Sequence, residues 1–299
     1  MITNEPSTQQ QTPLPTETAG TVGSAETLQQ PVSETGVHVV TGSGVNPWAP
    51  WLDVLKAFGV WVASIILLLA TQLAVAVPYF AYVWAITGEP PDIQTLTSDK
   101  ILAFISIASV LPAHLLTLGL IWLIVTQRRK IPFWPAVNFH WPKNVHPALG
   151  TILCVLIATV LFVIGATATH FWGGDRTQLD ALVESSIPAR MATAFIAVFT
   201  APLVEELIYR GVLYSALQRA VGTAITVGIV SLLFAGVHVF QYIDNLAVIA
   251  VITLLSFTLT LVRAQTGSVL APFVIHLVFN AIQSVIIALS PFTSWGQST

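Results

Sequence analysis

About seven stretches of this chain are long and apolar enough to cross a bilayer, and that pattern constrains the fold more than any motif does. They run from about Ala57 to Ile86, Ile101 to Thr126, Pro147 to Trp172, Met191 to Leu217, Thr223 to Phe240, Leu246 to Val262 and Val269 to Leu289. A helix crosses the hydrocarbon with roughly 20 residues, so each stretch is close to sufficient. The short alternating segments of a transmembrane barrel are missing, and so is any repeat of roughly 20 to 50 residues. The expected fold is an all-α, polytopic integral membrane helical bundle with about seven transmembrane helices.

Composition agrees. With 55% hydrophobic and 8% charged residues among 299, and a mean hydropathy of +0.79, the chain is far from the soluble norm of about a quarter charged. No basic patch supports a nucleic-acid partner, and membrane lipid is the expected surrounding. The one cysteine, Cys154, lies in an apolar stretch, and no CxxC or paired Cys/His spacing occurs. Disulfide and thiolate-metal chemistry are therefore unsupported. Residues 1–47 are rich in Thr, Gln, Pro, Ser and Gly, and carry Glu5, Glu17, Glu26 and Glu34 but no Lys or Arg. They read as a disordered, mildly acidic N-terminal tail. The tail lacks the basic start and apolar core of a cleaved signal peptide, so the first span is expected to direct insertion. Residues 48–186 then supply the N-terminal transmembrane helices and loops, including room for a short interfacial helix after Trp172. Residues 187–291 form the core that carries the polar motifs, and 292–299 a short C-terminal tail.

Basic residues orient the bundle. Gln127-Arg128-Arg129-Lys130 is the strongest basic cluster, and placing it in the cytoplasm with Lys143 puts Arg210, Arg219 and Arg263 on or toward that side too. The N-terminus is expected to be cytoplasmic. The compact plan without organelle signals suggests a prokaryotic plasma membrane.

The fourth stretch interrupts its own apolarity. In APLVEELIYR, Glu205 and Glu206 are the only acidic residues between Ser186 and Ile243. A carboxylate at the bilayer centre costs at least roughly 2.5–3.5 kcal/mol, so these must be paired or face water. Glu206 and Arg210 are four apart and share a helix face, whereas Glu205 points about a quarter-turn away. One glutamate is expected to be held by the arginine and the other left for chemistry.

Two more polar pairs at the same spacing follow, Phe234 with His238 in the fifth stretch and His276 with Asn280 in the seventh. A lone membrane histidine is ordinarily a packed, hydrogen-bonded residue, and His114 and His170 are read that way. Three helices with polar faces most simply converge on a cavity. The joint pattern EExxxR, FxxxH, HxxxN resembles the CPBP family, also called the type II CAAX prenyl endopeptidase or Abi family of intramembrane proteases, over about residues 190–290. That resemblance implies an intramembrane endopeptidase in which Glu205 activates a water that His238 helps to hold or polarise. It implies a structural ion pair between Glu206 and Arg210, oxyanion donors at His276 and Asn280, and Phe234 packed beneath His238. It also implies a protein or peptide substrate, prenylated in CAAX-type C-terminal processing, and favours no cofactor.

Rival readings use the same residues. Glu205, His238 and His276 could ligate zinc with an open fourth position, although no HExxH occurs and Asn280 is a poor zinc ligand. A non-proteolytic immunity or scaffold protein, or a transport protein, would keep the polar residues as a buried pair, interhelical hydrogen bonds or a proton relay. A purely structural pair accounts for Glu206 but leaves Glu205 without a reason, and the internal symmetry common in transporters is missing.

Overall fold

A computed structural model describes residues 49–90, 99–174 and 178–289. The tail expected to be disordered over 1–47 and the C-terminal residues 292–299 lie outside them. Every regular element among the described residues is helical. Seven helices are long and apolar enough to cross a membrane, Pro50–Thr87, Lys100–Val125, Pro147–Trp172, Ile187–Val221, Thr223–Gln241, Leu246–Thr266 and Leu270–Leu289. The protein is an integral membrane protein.

The third span coincides with its expected bounds, and the others differ for local reasons. The first belongs to one helix of 39 residues, Ala49–Thr87, which continues through Pro78. At 1.5 Å per residue it is about 58 Å long, roughly twice the hydrocarbon thickness, and it starts about two turns before Ala57. The second span is two helices, Lys100–Ala108 and Val110–Val125, meeting at Ser109. Pro112 explains the break, because it cannot donate to the Ala108 carbonyl four residues back and its ring crowds it. The fourth span is longer at both ends than its apolar core. Ser186 caps its start by accepting from Ala189 N at 3.2 Å, with Pro188 in the first turn, and Gly222 at φ +78° ends it. The short helix expected after Trp172 is Gln178–Ser185.

Seven alternating crossings sort the connections. One end of the bundle holds the 126–146 connector, Gly222 and residues 267–269, and the other holds residues 88–90, Asp99, residues 173–174 and 178–186, and residues 242–245. At the first end the connector is tied to the last loop, with Val269 N donating to Asn138 O at 2.9 Å and the Ser268 hydroxyl to His140 O. Lys56, Arg128, Arg129, Lys130, Lys143 and Arg219 gather there, and Arg219 reaches Asp53 at 3.0 Å. Glu89, Asp99, Asp180, Glu184 and Asp244 mark the opposite end.

Two apolar layers hold the bundle. Val54, Ala57 and Val60 of the first span meet Ile121 of the second, Leu207, Leu213 and Tyr214 of the fourth, and Val230 and Phe234 of the fifth. Cys154, Ala158 and Leu161 of the third pack on Leu255 and Leu259 of the sixth and Ile275 and Phe279 of the seventh. The fourth span belongs to the first layer, reaches the sixth and seventh spans through hydrogen bonds, and carries Glu205, Glu206 and Arg210.

Candidate active site

The fourth span is not a uniform α-helix. Ile196–Thr200 and Leu207–Leu213 are π-helical, and the α-helical turn Ala201–Glu206 between them carries both glutamates. Pro202 supplies part of the reason, since an imino residue inside a helix removes one donor and relaxes the preceding turn. Wide turns of this kind recur at functional sites. Here they also release carbonyls, and neighbouring spans take them up. Asn280 Nδ2 of the seventh span donates to Ala197 O at 2.9 Å, and Arg263 Nε of the sixth to Arg210 O at 3.0 Å.

Arg210 is wholly buried and uses every edge of its guanidinium. Nη1 donates to Glu206 Oε1 at 3.0 Å, Nη2 to Ser256 O at 2.9 Å and Ser256 Oγ at 3.0 Å, and Nε to Thr260 Oγ1 at 3.3 Å. Its charge lies 4.8 Å from the Phe234 ring centroid, close enough for cation–π attraction. Removing one member of such a pair strands the other charge, at a cost of about 3–5 kcal/mol. The expected Glu206–Arg210 pair is present, and Ser256 and Thr260 complete it. Their four-residue spacing on the sixth span was the available signal for them.

His276 stands between the two glutamates. Its Nδ1 is 2.9 Å from Glu206 Oε1 and its Nε2 is 3.6 Å from Glu205 Oε2. Because the first contact is to a carboxylate oxygen, Nδ1 is the donor. The glutamates then differ sharply in access, since the side chain of Glu206 is 0% exposed and that of Glu205 is 23% exposed. Outside the spans, burial, then the charges of Asp180 and Glu205, push the Tyr242 hydroxyl up to about 12.

His238 closes the group through an aromatic contact. Phe234 is buried, 4.9 Å from the His238 ring and 5.8 Å from the His276 ring by centroids. The His238 Nδ1 lies 2.8 Å from Phe234 O. A carbonyl can only accept, so Nδ1 carries the hydrogen and Nε2 presents its lone pair in the neutral ring. Tyr209 packs on Phe234 at 5.0 Å and accepts from Trp61 Nε1 at 3.0 Å, which joins the first span to the site. His114 is hydrogen-bonded to Thr200 Oγ1 at 2.9 Å, inside the first wide turn.

The contact between His276 and Glu206 relates the depths of two spans. By nominal rise, His276 lies about 9 Å into its helix and Glu206 about 22 Å from the end of its own at the same side of the bundle. They touch, so the fourth span projects past the seventh or crosses it obliquely. The zinc set fares differently. Glu205 and His276 approach each other, but among the described residues no three His, Cys, Asp or Glu side chains are grouped to hold a metal ion.

All seven motif residues fall in one stretch of the fold. Residues 187–282 match the family model described as type II CAAX prenyl endopeptidase, Rce1-like. Over the fourth to seventh spans the chain is similar to that family. This segment begins at the first residue of the fourth span and contains both wide turns, the glutamates, Arg210, both histidines and Asn280. It covers about a third of the chain and implies a protease. No curated protein and no solved structure matches the chain.

Proposed function

We infer that the Rce1-like segment is a glutamate-dependent intramembrane endopeptidase with Glu205 as its general base. The observation that carries this reading is the division between neighbours. Glu206 is sealed by Arg210 and His276, while Glu205 keeps partial exposure and, among the described residues, has its one ion-pair contact with His276 at 3.6 Å. In the hydrolysis, Glu205 takes a proton from water as the water oxygen bonds to the scissile carbonyl carbon, and the carbonyl oxygen becomes the oxyanion. The C–N bond then breaks, and the same proton passes from Glu205 to the leaving nitrogen. His238 Nε2, with its lone pair free, accepts the water's other hydrogen and orients it. Asn280 uses one amide hydrogen on Ala197 O and retains a second for the oxyanion, and His276, whose Nδ1 hydrogen is on Glu206 Oε1, joins it through Nε2–H in the doubly protonated ring.

The substrate is a protein or peptide whose C-terminal region is prenylated, in line with the description of the matched family. The test is cleavage by the purified protein of a peptide ending in a farnesylated cysteine motif, beside its unprenylated twin, with and without a strong chelator. Release of a C-terminal fragment, faster from the prenylated peptide and indifferent to chelation, is expected. Loss of cleavage on chelation, restored by zinc, would replace glutamate catalysis with a metal mechanism. Equal cleavage of the two peptides would remove the prenyl group from substrate recognition.

A further inference from the structure

We propose that the cleft between the first and second spans, at the basic end of the bundle, is a binding site for an anionic phospholipid. The cleft has a volume of about 770 Å³, within the range of ordinary ligand pockets, and none of the motif residues lines it. Lys56 of the first span and Arg128 and Lys130 after the second stand around it, over apolar walls from Val60, Leu120 and Leu123. Cations at the rim and hydrocarbon below fit a phosphate headgroup whose acyl chain runs down the groove. The carboxylate of Asp53, beside Lys56, is shared, 3.5 Å from Lys56 and 3.0 Å from Arg219. It therefore leaves the rim positive.

The rim is held in place by an unusual turn. Gln127, Arg128 and Arg129 have φ of 49°, 59° and 74°, three successive non-glycine residues in the left-handed region, which L side chains disfavour. Thr126 secures the turn. Its hydroxyl donates to Trp122 O at 2.7 Å and accepts from Arg129 N at 3.1 Å, and its carbonyl accepts from Lys130 N at 2.8 Å. Arg129 is turned aside over the Trp122 ring at 5.2 Å. A plain helix end would fan these cations outward, whereas this turn sets Arg128 and Lys130 at the mouth of the cleft. Gly59 leaves the groove open, since a Cβ there would meet nothing within 4 Å.

The test uses the full chain in nanodiscs of phosphatidylglycerol and phosphatidylcholine in equal amounts. After gentle delipidation, native mass spectrometry counts the lipids retained. Selective retention of phosphatidylglycerol is expected, falling about tenfold or more when Arg128→Asn and Lys130→Gln are combined, given the attraction of each basic residue to an anionic leaflet. Asn suits the left-handed backbone at Arg128, and both side chains are exposed, so the fold should persist. Gly59→Leu keeps every charge and fills the groove, and it should lower retention as well. Equal retention of the two lipids by the wild type, or unchanged retention in the charge variant, overturns the site. Retention that survives Gly59→Leu but is displaced by inorganic phosphate identifies a bare anion site and overturns the lipid.

Discussion

In the first span Leu55, Ile66 and Leu73 are 69%, 58% and 62% exposed, while in the fourth Glu206 and Arg210 are 0% exposed. Both helices run through the same bilayer. The first needs only apolar side chains against lipid, which many sequences satisfy, and it runs as one helix through Pro78. The fourth carries two carboxylates and a guanidinium through hydrocarbon, and it does so with two π turns whose freed carbonyls are taken up by Asn280 and Arg263. A lipid-facing helix can be regular because nothing must meet it at a fixed depth. A helix that places charges must bend its hydrogen-bond ladder to the partners available.

That contrast can be broken by substitution. Arg210→Ala should cost about 3–5 kcal/mol, because it strands Glu206 and removes four hydrogen bonds. A thermal unfolding midpoint in detergent equal to that of the wild type would dissolve the contrast at its centre. Arg263→Met leaves the Arg210 carbonyl without its donor and should cost about 1–3 kcal/mol. If unfolding is unchanged, the second wide turn does not depend on the sixth span.

At its far end the first span makes a further polar link, where Tyr79 Oη donates to Asp99 at 2.6 Å. Burial alone would raise the Asp99 carboxyl, but bonds from Tyr79 and the N–H groups of Leu102 and Ile101 outweigh it and hold it below its ordinary value of 3.8. A depressed value in the folded state means stability that is present above 3.8 and lost as pH falls through the folded value. Asp99→Ala removes the cap of the second span and should cost about 0.5–2 kcal/mol near neutral pH. The gap to the wild type should close in acid, and a gap independent of pH would show that the charge is not what caps the helix. Leu73→Ala, on the lipid face, should change stability by less than about 0.5 kcal/mol. A larger loss would mean that another chain covers that face.

Much of this was legible in the residues. The third span's bounds follow from apolarity alone, and the Glu206–Arg210 pair follows from four-residue spacing. The Ser109 break could have been read from Pro112. The wide turns could not, because a one-residue widening leaves the apolar pattern of the fourth span intact. The placement of His276 between the glutamates depends on how far the fourth span projects past the seventh, and hydropathy does not record relative depth. Ser256, Thr260 and Arg263 lie close together along the sixth span, and that polar face is the signal in the sequence for the partners of Arg210.

The central claim is the division of labour between Glu205 and Glu206, and turnover by Glu205→Gln tests it most directly. The variant should keep the wild-type unfolding midpoint, since its neighbour holds the ion pair, and lose about 10²–10⁴-fold or more in the rate of peptide cleavage. A folded Glu205→Gln protein that cleaves at the wild-type rate would contradict the account.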